Sequence, residues 1–90
     1  MLDLDLKPRA TKFMRRLPPK HKRQIGDKIF ALRFDPTPPD SAKMTGFAYR
    51  RADIGEYRII YRVEGPKLLI PLVGKRNDDE VYRQLKRLEG

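Results

Sequence analysis

Along the chain, apolar and polar positions change period several times, and each change marks an element. Leu2, Leu4 and Leu6 alternate with Asp3 and Asp5, the period-two pattern of a short half-buried strand. Pro8 stands where a first helical turn tolerates it, and Ala10, Phe13, Met14 and Leu17 then follow at i, i+3, i+4 and i+7. Pro18 and Pro19 close that helix and open another. Its apolar stripe is Ile25, Ile29 and Leu32, with Phe30 and Phe34 in support and Lys20, Lys22, Arg23 and Lys28 outside. Three prolines between Asp35 and Asp40 predict a loop.

The second half reads as a meander. A strand is predicted over Phe47 to Ala52 and a turn over Ile54, Gly55 and Glu56. Tyr57, Ile59, Tyr61 and Val63 then alternate with Arg58, Ile60 and Arg62, and a turn follows at Glu64, Gly65 and Pro66. Lys67 to Val73 predicts a third strand, which Pro71 places at a sheet edge or across a bulge, because proline has no N–H for the ladder. Asp78 or Asp79 can cap a last helix bearing Val81, Leu85 and Leu88 on one stripe and Arg83, Lys86 and Arg87 outside it. The order β-α-α-β-β-β-α predicts an α+β fold: a helical hairpin on a small antiparallel sheet, with a C-terminal helix.

Composition narrows this further. The 90 residues suit one domain spanning 1–90, and 39% hydrophobic content suggests one layer of helices on one sheet, with no second core. The chain has no cysteine, which excludes disulfides, thiolate metal sites and a cysteine nucleophile. No apolar run approaches the roughly 18 residues of a membrane span. The N-terminal sequence MLDLDLKPRA lacks a signal peptide's pattern, so the cytoplasm is the expected location. The net charge is +9, and it is unevenly spread. Between Lys7 and Arg33 ten Lys or Arg residues face a single acid, Asp27. A field of this kind attracts polyanions, although a basic face can also serve solubility alone.

On the meander, Tyr57, Ile59, Tyr61 and Val63 suit the face under the helices, which leaves Arg58 and Arg62 on the other. Arg50 and Arg51 on the preceding strand, Lys75 and Arg76 after the third, and Tyr82 on the last helix can converge on that open side. RNA cleavage through its own 2′-hydroxyl needs in-line positioning, charge stabilisation and proton transfer. Arginines give paired donors to phosphate oxygens, and a phenol can stack on a base or relay a proton. The plain alternative is a set of surface ion pairs with Asp53, Glu56 and Glu64. His21, among Lys20, Lys22 and Arg23, reads as exposed and idle. Asp78, Asp79 and Glu80 read as helix-capping acids rather than metal ligands, so no metal or cofactor is expected.

Two segments resemble a known family. YRRADIGEYRIIYRV (Tyr49 to Val63) resembles the strand-turn-strand core of the RelE/ParE toxin superfamily, and VGKRNDDEVY (Val73 to Tyr82) the end of RelE-type toxins. KMTG (Lys43 to Gly46) matches the short loop before the first core strand. The resemblance implies a toxin of a type II toxin–antitoxin module, a metal-independent mRNA endoribonuclease acting at the ribosome and leaving a 2′,3′-cyclic phosphate. It implies catalytic roles for Arg51, Arg58, Arg76 and Tyr82, and RNA contacts from Lys43, Arg50, Lys75, Arg83 and Lys86. The expected partners are the ribosome, mRNA and an acidic, partly disordered antitoxin. Asp53 stands where RelE proper has a second basic residue, which leaves the general base open among Lys75, Lys43 and Asp53. The alternatives are a ParE-like inhibitor of DNA gyrase and a basic RNA-binding domain without chemistry.

Overall fold

The computed structural model describes residues 1–77 and 79–89, Glu89 by its backbone alone. The elements are β1 (Asp3–Leu6), α1 (Pro8–Arg15), α2 (Pro19–Phe34), β2 (Ser41–Lys43), β3 (Arg50–Ile54), β4 (Tyr57–Glu64), β5 (Lys67–Lys75) and α3 (Glu80–Glu89). They form one five-stranded sheet in the order β1-β5-β4-β3-β2. The α+β expectation holds, with two additions. The short strand β2 precedes the meander and pairs antiparallel with β3, where no strand was predicted. β1 joins the far edge parallel to β5, so the sheet is mostly, not wholly, antiparallel.

Turn chemistry sets the meander's register. Ile54 pairs with Tyr57, and Glu64 with Lys67, so both hairpins close on two residues. Gly55 and Gly65 take φ of +57° and +56° at the first of these, while Glu56 and Pro66 keep negative φ. Glycine in first place is what a tight hairpin of this handedness requires. Between the pairs Ile60–Leu72 and Arg62–Leu69, Tyr61 alone opposes Ile70 and Pro71. Pro71 thus lies within a bulge, where a missing N–H costs no ladder bond. β5 is flanked by β1 and β4, so of the two readings of Pro71 the bulge is the one realised.

α1 and α2 cover one face of the sheet. Ile25, Ile29 and Leu32 of α2 and Ala10 of α1 pack on Tyr57, Ile59, Tyr61, Leu68, Ile70 and Val73. The Tyr61 hydroxyl donates to the Pro36 carbonyl at 2.6 Å and ties the proline loop to the core. Phe30 and Phe34 do not support this core: they are 53% and 62% exposed. One residue beyond Ile29 turns a side chain by about 100° around the helix, away from the sheet. Val63, next to the hairpin turn that ends β4, is likewise exposed. His21 is not idle, since it is half-buried and its Nδ1 hydrogen-bonds the Tyr57 hydroxyl at 2.6 Å.

The expectation of a single core is corrected. α3 packs on the opposite face, where Val81 and Leu85 meet Met44, Tyr49, Ile60 and Leu72 in a second cluster. Leu72 reaches it because the bulge reverses the alternation that leaves Leu68 and Ile70 on the other side. Leu88, in the last turn of α3, stays 45% exposed. Asp79 precedes the helix, its carbonyl accepting the Arg83 N–H at 3.1 Å; Asp78 lies outside the described residues.

Candidate active site

Cross-strand pairing assembles the site. Asp53 faces Arg58 and Arg51 faces Ile60 across β3 and β4, so all four side chains share the α3 face. The Asp53 carboxylate accepts from Arg58 Nε at 2.7 Å and Nη2 at 3.1 Å, a two-point fork. Arg51 Nη1 stands 3.7 Å from the same carboxylate. With the Nε–Nη2 edge of its guanidinium held, Arg58 directs Nη1 to the Tyr82 hydroxyl, which α3 carries over the sheet. The guanidinium carbon lies 5.8 Å from the Tyr82 ring centre.

The charges reinforce one another. The hydrogen bond from Arg58 holds the Asp53 carboxyl below its ordinary range against the opposing effect of burial, and the Arg51 and Arg76 charges add to this. Asp53 and Tyr82 in turn push the Arg58 guanidinium above its ordinary value. Arg58 is therefore a permanent cation, only 13% exposed, in a fixed orientation. Arg76 is exposed at the end of β5, its backbone N–H bonded to the Glu56 carbonyl at 3.0 Å.

The structure thus brings Arg51, Arg58 and Tyr82 together around Asp53, with the Arg76 charge acting on the same carboxylate. The other expected RNA contacts divide. Arg50 pairs with Tyr61 and Lys43 pairs with Arg50, which puts both on the α1–α2 face. There Arg50 Nη2 donates to Ser41 Oγ at 2.8 Å. Lys86, one turn beyond Tyr82, shares its flank of α3. Arg83 points outward and pairs with Glu80 at 3.1 Å. Lys75 pairs with Tyr57 across the strands and lies away from the fork. Of the three groups left open as the base, Asp53 alone lies inside the cluster. The signal that could have found its partner is Gly55: a two-residue turn at Gly55 and Glu56, rather than one over Ile54 to Glu56, sets Asp53 opposite Arg58. Arg62, also on this face, lies over the Tyr49 ring at 4.8 Å and pairs with Glu64, so it serves packing.

Among the described residues no group of three or more His, Cys, Asp or Glu is placed to hold a metal ion. Nor, among them, is any helix long and apolar enough to cross a membrane.

No protein-family model and no curated protein matches the sequence. Solved structures do. The isolated E. coli RelE toxin is 26% identical, with a TM-score of 0.73 over 98% of this chain and 99% of that one. RelE in the RelE–RelB complex of Pyrococcus horikoshii OT3 is 25% identical, with a TM-score of 0.73 over 83% of this chain and 94% of that one. The chain has the fold of the RelE-like toxins. A double arginine mutant of E. coli RelE in the free state is 24% identical and superposes with a TM-score of 0.81 over 97% of this chain and 96% of that one. Within the RelE-like frame, the arginine–aspartate fork occupies the sheet face beneath the last helix.

Proposed function

We propose that the chain is the toxin of a type II toxin–antitoxin module and acts as a metal-independent endoribonuclease on mRNA at the ribosome. The observation that carries this reading is the Arg58 guanidinium, forked by Asp53 and bonded to Tyr82, with Arg51 3.7 Å from the same carboxylate and the Arg76 charge acting on it. Such an arrangement is built for a phosphodiester. Pre-oriented guanidiniums stabilise charge that grows on the non-bridging oxygens as the 2′-hydroxyl attacks, and they need no reorganisation at that moment. Tyr82 offers a ring for an adjacent base and a hydroxyl for proton relay. Asp53 is the one carboxylate in the cluster, but its lowered pKa makes it a weak base. Rate enhancement therefore rests on in-line positioning and phosphate stabilisation more than on proton removal.

The partner proposal follows the same charge. The neighbours include RelE bound to RelB antitoxin, and a +9 chain suits an acidic segment that folds on binding. Expression of the chain with and without Arg58→Ala or Arg76→Ala, followed by end-mapping of transcripts, tests the assignment. Growth arrest with 2′,3′-cyclic phosphate ends that either substitution removes is the expected result. Full toxicity from both folded variants overturns it. A second reading, RNA binding without chemistry, draws on Asp53 neutralising Arg58; it predicts RNA affinity with no new ends.

A further inference from the structure

α3 has two flanks. Tyr82 and Lys86 lie on one; Glu80, Gln84 and Arg87 lie on the other, where α1, the end of β5 and α3 enclose a pocket of about 570 Å³. Five cations line it. Arg9, Lys12 and Arg16 come from one face of the first helix and its end, at i, i+3 and i+7, with Lys75 from the strand and Arg87 from α3. Among the described residues none of the five makes an ion pair. The one acid in the wall, Glu80, is already bonded by Arg83 and Gln84. In the Arg58 cluster the carboxylate is spent on the guanidinium itself, whereas here five cations share a wall with one carboxylate that Arg83 and Gln84 already engage, which keeps the potential inside the pocket positive. Phe13 supplies a single aromatic wall.

We infer that this pocket is a second RNA site, taking one nucleotide of a single strand with its two flanking phosphates on the cations and its base against Phe13. The inference rests on the RNA-directed reading above and extends it to a contact away from the scissile phosphate. Three features favour a nucleotide. The volume lies within the range of about 300–1,000 Å³ typical of small-ligand pockets. Cations and an aromatic wall together match phosphate and base, whereas an acidic peptide leaves Phe13 unused. Lys75, in the wall, directly precedes Arg76, whose charge acts on Asp53, so one strand can reach from the pocket toward the cluster.

The test is anisotropy with a labelled 2′-O-methyl oligoribonucleotide of about ten nucleotides, a length that one single-strand site spans and that cannot be cut. The unaltered chain is compared with Arg9→Gln/Arg16→Gln/Arg87→Gln and with Lys20→Gln/Lys22→Gln/Arg23→Gln, which removes the same charge from the exposed side of α2. All six positions are exposed, so both variants retain the fold, as circular dichroism checks. The pocket variant is expected to bind at least about tenfold more weakly, with the slope of log K on log salt reduced by about 1.4, at about 0.7 for each phosphate left without its cation. The α2 variant is expected to change far less, and a duplex of the same sequence to bind poorly. Equal losses from the two variants, tight duplex binding, or a poly-glutamate peptide that needs the pocket while RNA does not, each overturns the inference. Cleavage in a translation extract is followed on the same proteins. An intact pocket-variant affinity with normal cleavage sinks the pocket and leaves the enzyme standing; an unaltered chain that neither binds nor cuts RNA sinks both.

Discussion

Under α1 and α2 the sheet presents Tyr57, Ile59 and Tyr61, none more than 4% exposed, against the full apolar stripe of a sixteen-residue helix. Under α3 the same strand presents Ile60 alone, between Arg58 and Arg62. The first face buries enough to hold the fold. The second buries just enough to seat one helix, and that helix delivers Tyr82 to Arg58. Alternation along β4 allows both, because neighbouring residues point to opposite sides. A single strand thus separates the principal core from the proposed site, and a substitution on one side need not disturb the other.

Four substitutions put that division to the test. Ile59→Ala empties a fully buried position on the hairpin face and is expected to cost about 2–5 kcal/mol of stability, read from urea unfolding. Any protein that remains folded should cut RNA at the normal rate; a large rate loss in that fraction would mean the faces are coupled. Arg58→Ala should do the reverse. It is expected to slow cleavage by roughly 10²–10³-fold, about 3–4 kcal/mol of barrier, while thermal unfolding moves little.

Gly74→Ala probes the seam between the two. A Cβ there would stand 2.2 Å from Val81 Cγ2, so the Val81 side chain must turn or α3 must shift. The expected cost is about 1–3 kcal/mol in unfolding, with slower cleavage as far as Tyr82 moves with the helix. Adding Val81→Ala should restore part of both, and no recovery would show that the contact is not what limits α3. The smallest effect is that of Asp53→Asn, within about 1 kcal/mol for a partly exposed pair. The folded-state pKa of Asp53 lies below its unfolded value, so its contribution is present above the unfolded pKa, about 3.9. It is lost as pH falls through the folded value. The stability gap between the chain and Asp53→Asn should therefore be flat from pH 5 to 8 and close in stronger acid. A gap that widens on acidification would contradict the fork.

Alternation at Tyr57, Ile59 and Tyr61 and the helical spacing of Ile25, Ile29 and Leu32 were enough to name the principal core, because a buried face must be apolar at its own period. The three-residue turn read over Ile54 to Glu56 was one residue too long, and only the observed Ile54–Tyr57 pair sets Asp53 opposite Arg58. β2 escaped notice because three residues carry too little pattern, and Phe30 and Phe34 misled because apolar identity alone does not say which side of a helix a residue takes.

The order of residues along the chain settled what is local: the periods, the turns, the proline that demands a bulge, and an excess of cations. Which cations stand together was decided only by folding. Arg50 and Arg51 are neighbours in sequence and point to opposite faces, while Arg58 and Tyr82, twenty-four positions apart, share a hydrogen bond. The same holds for Arg9, Lys12, Arg16 and Arg87, which reach one pocket from two helices. A strand's alternation and a helix's docking act over distances that sequence spacing does not record, so the charges could be counted beforehand but their company could not.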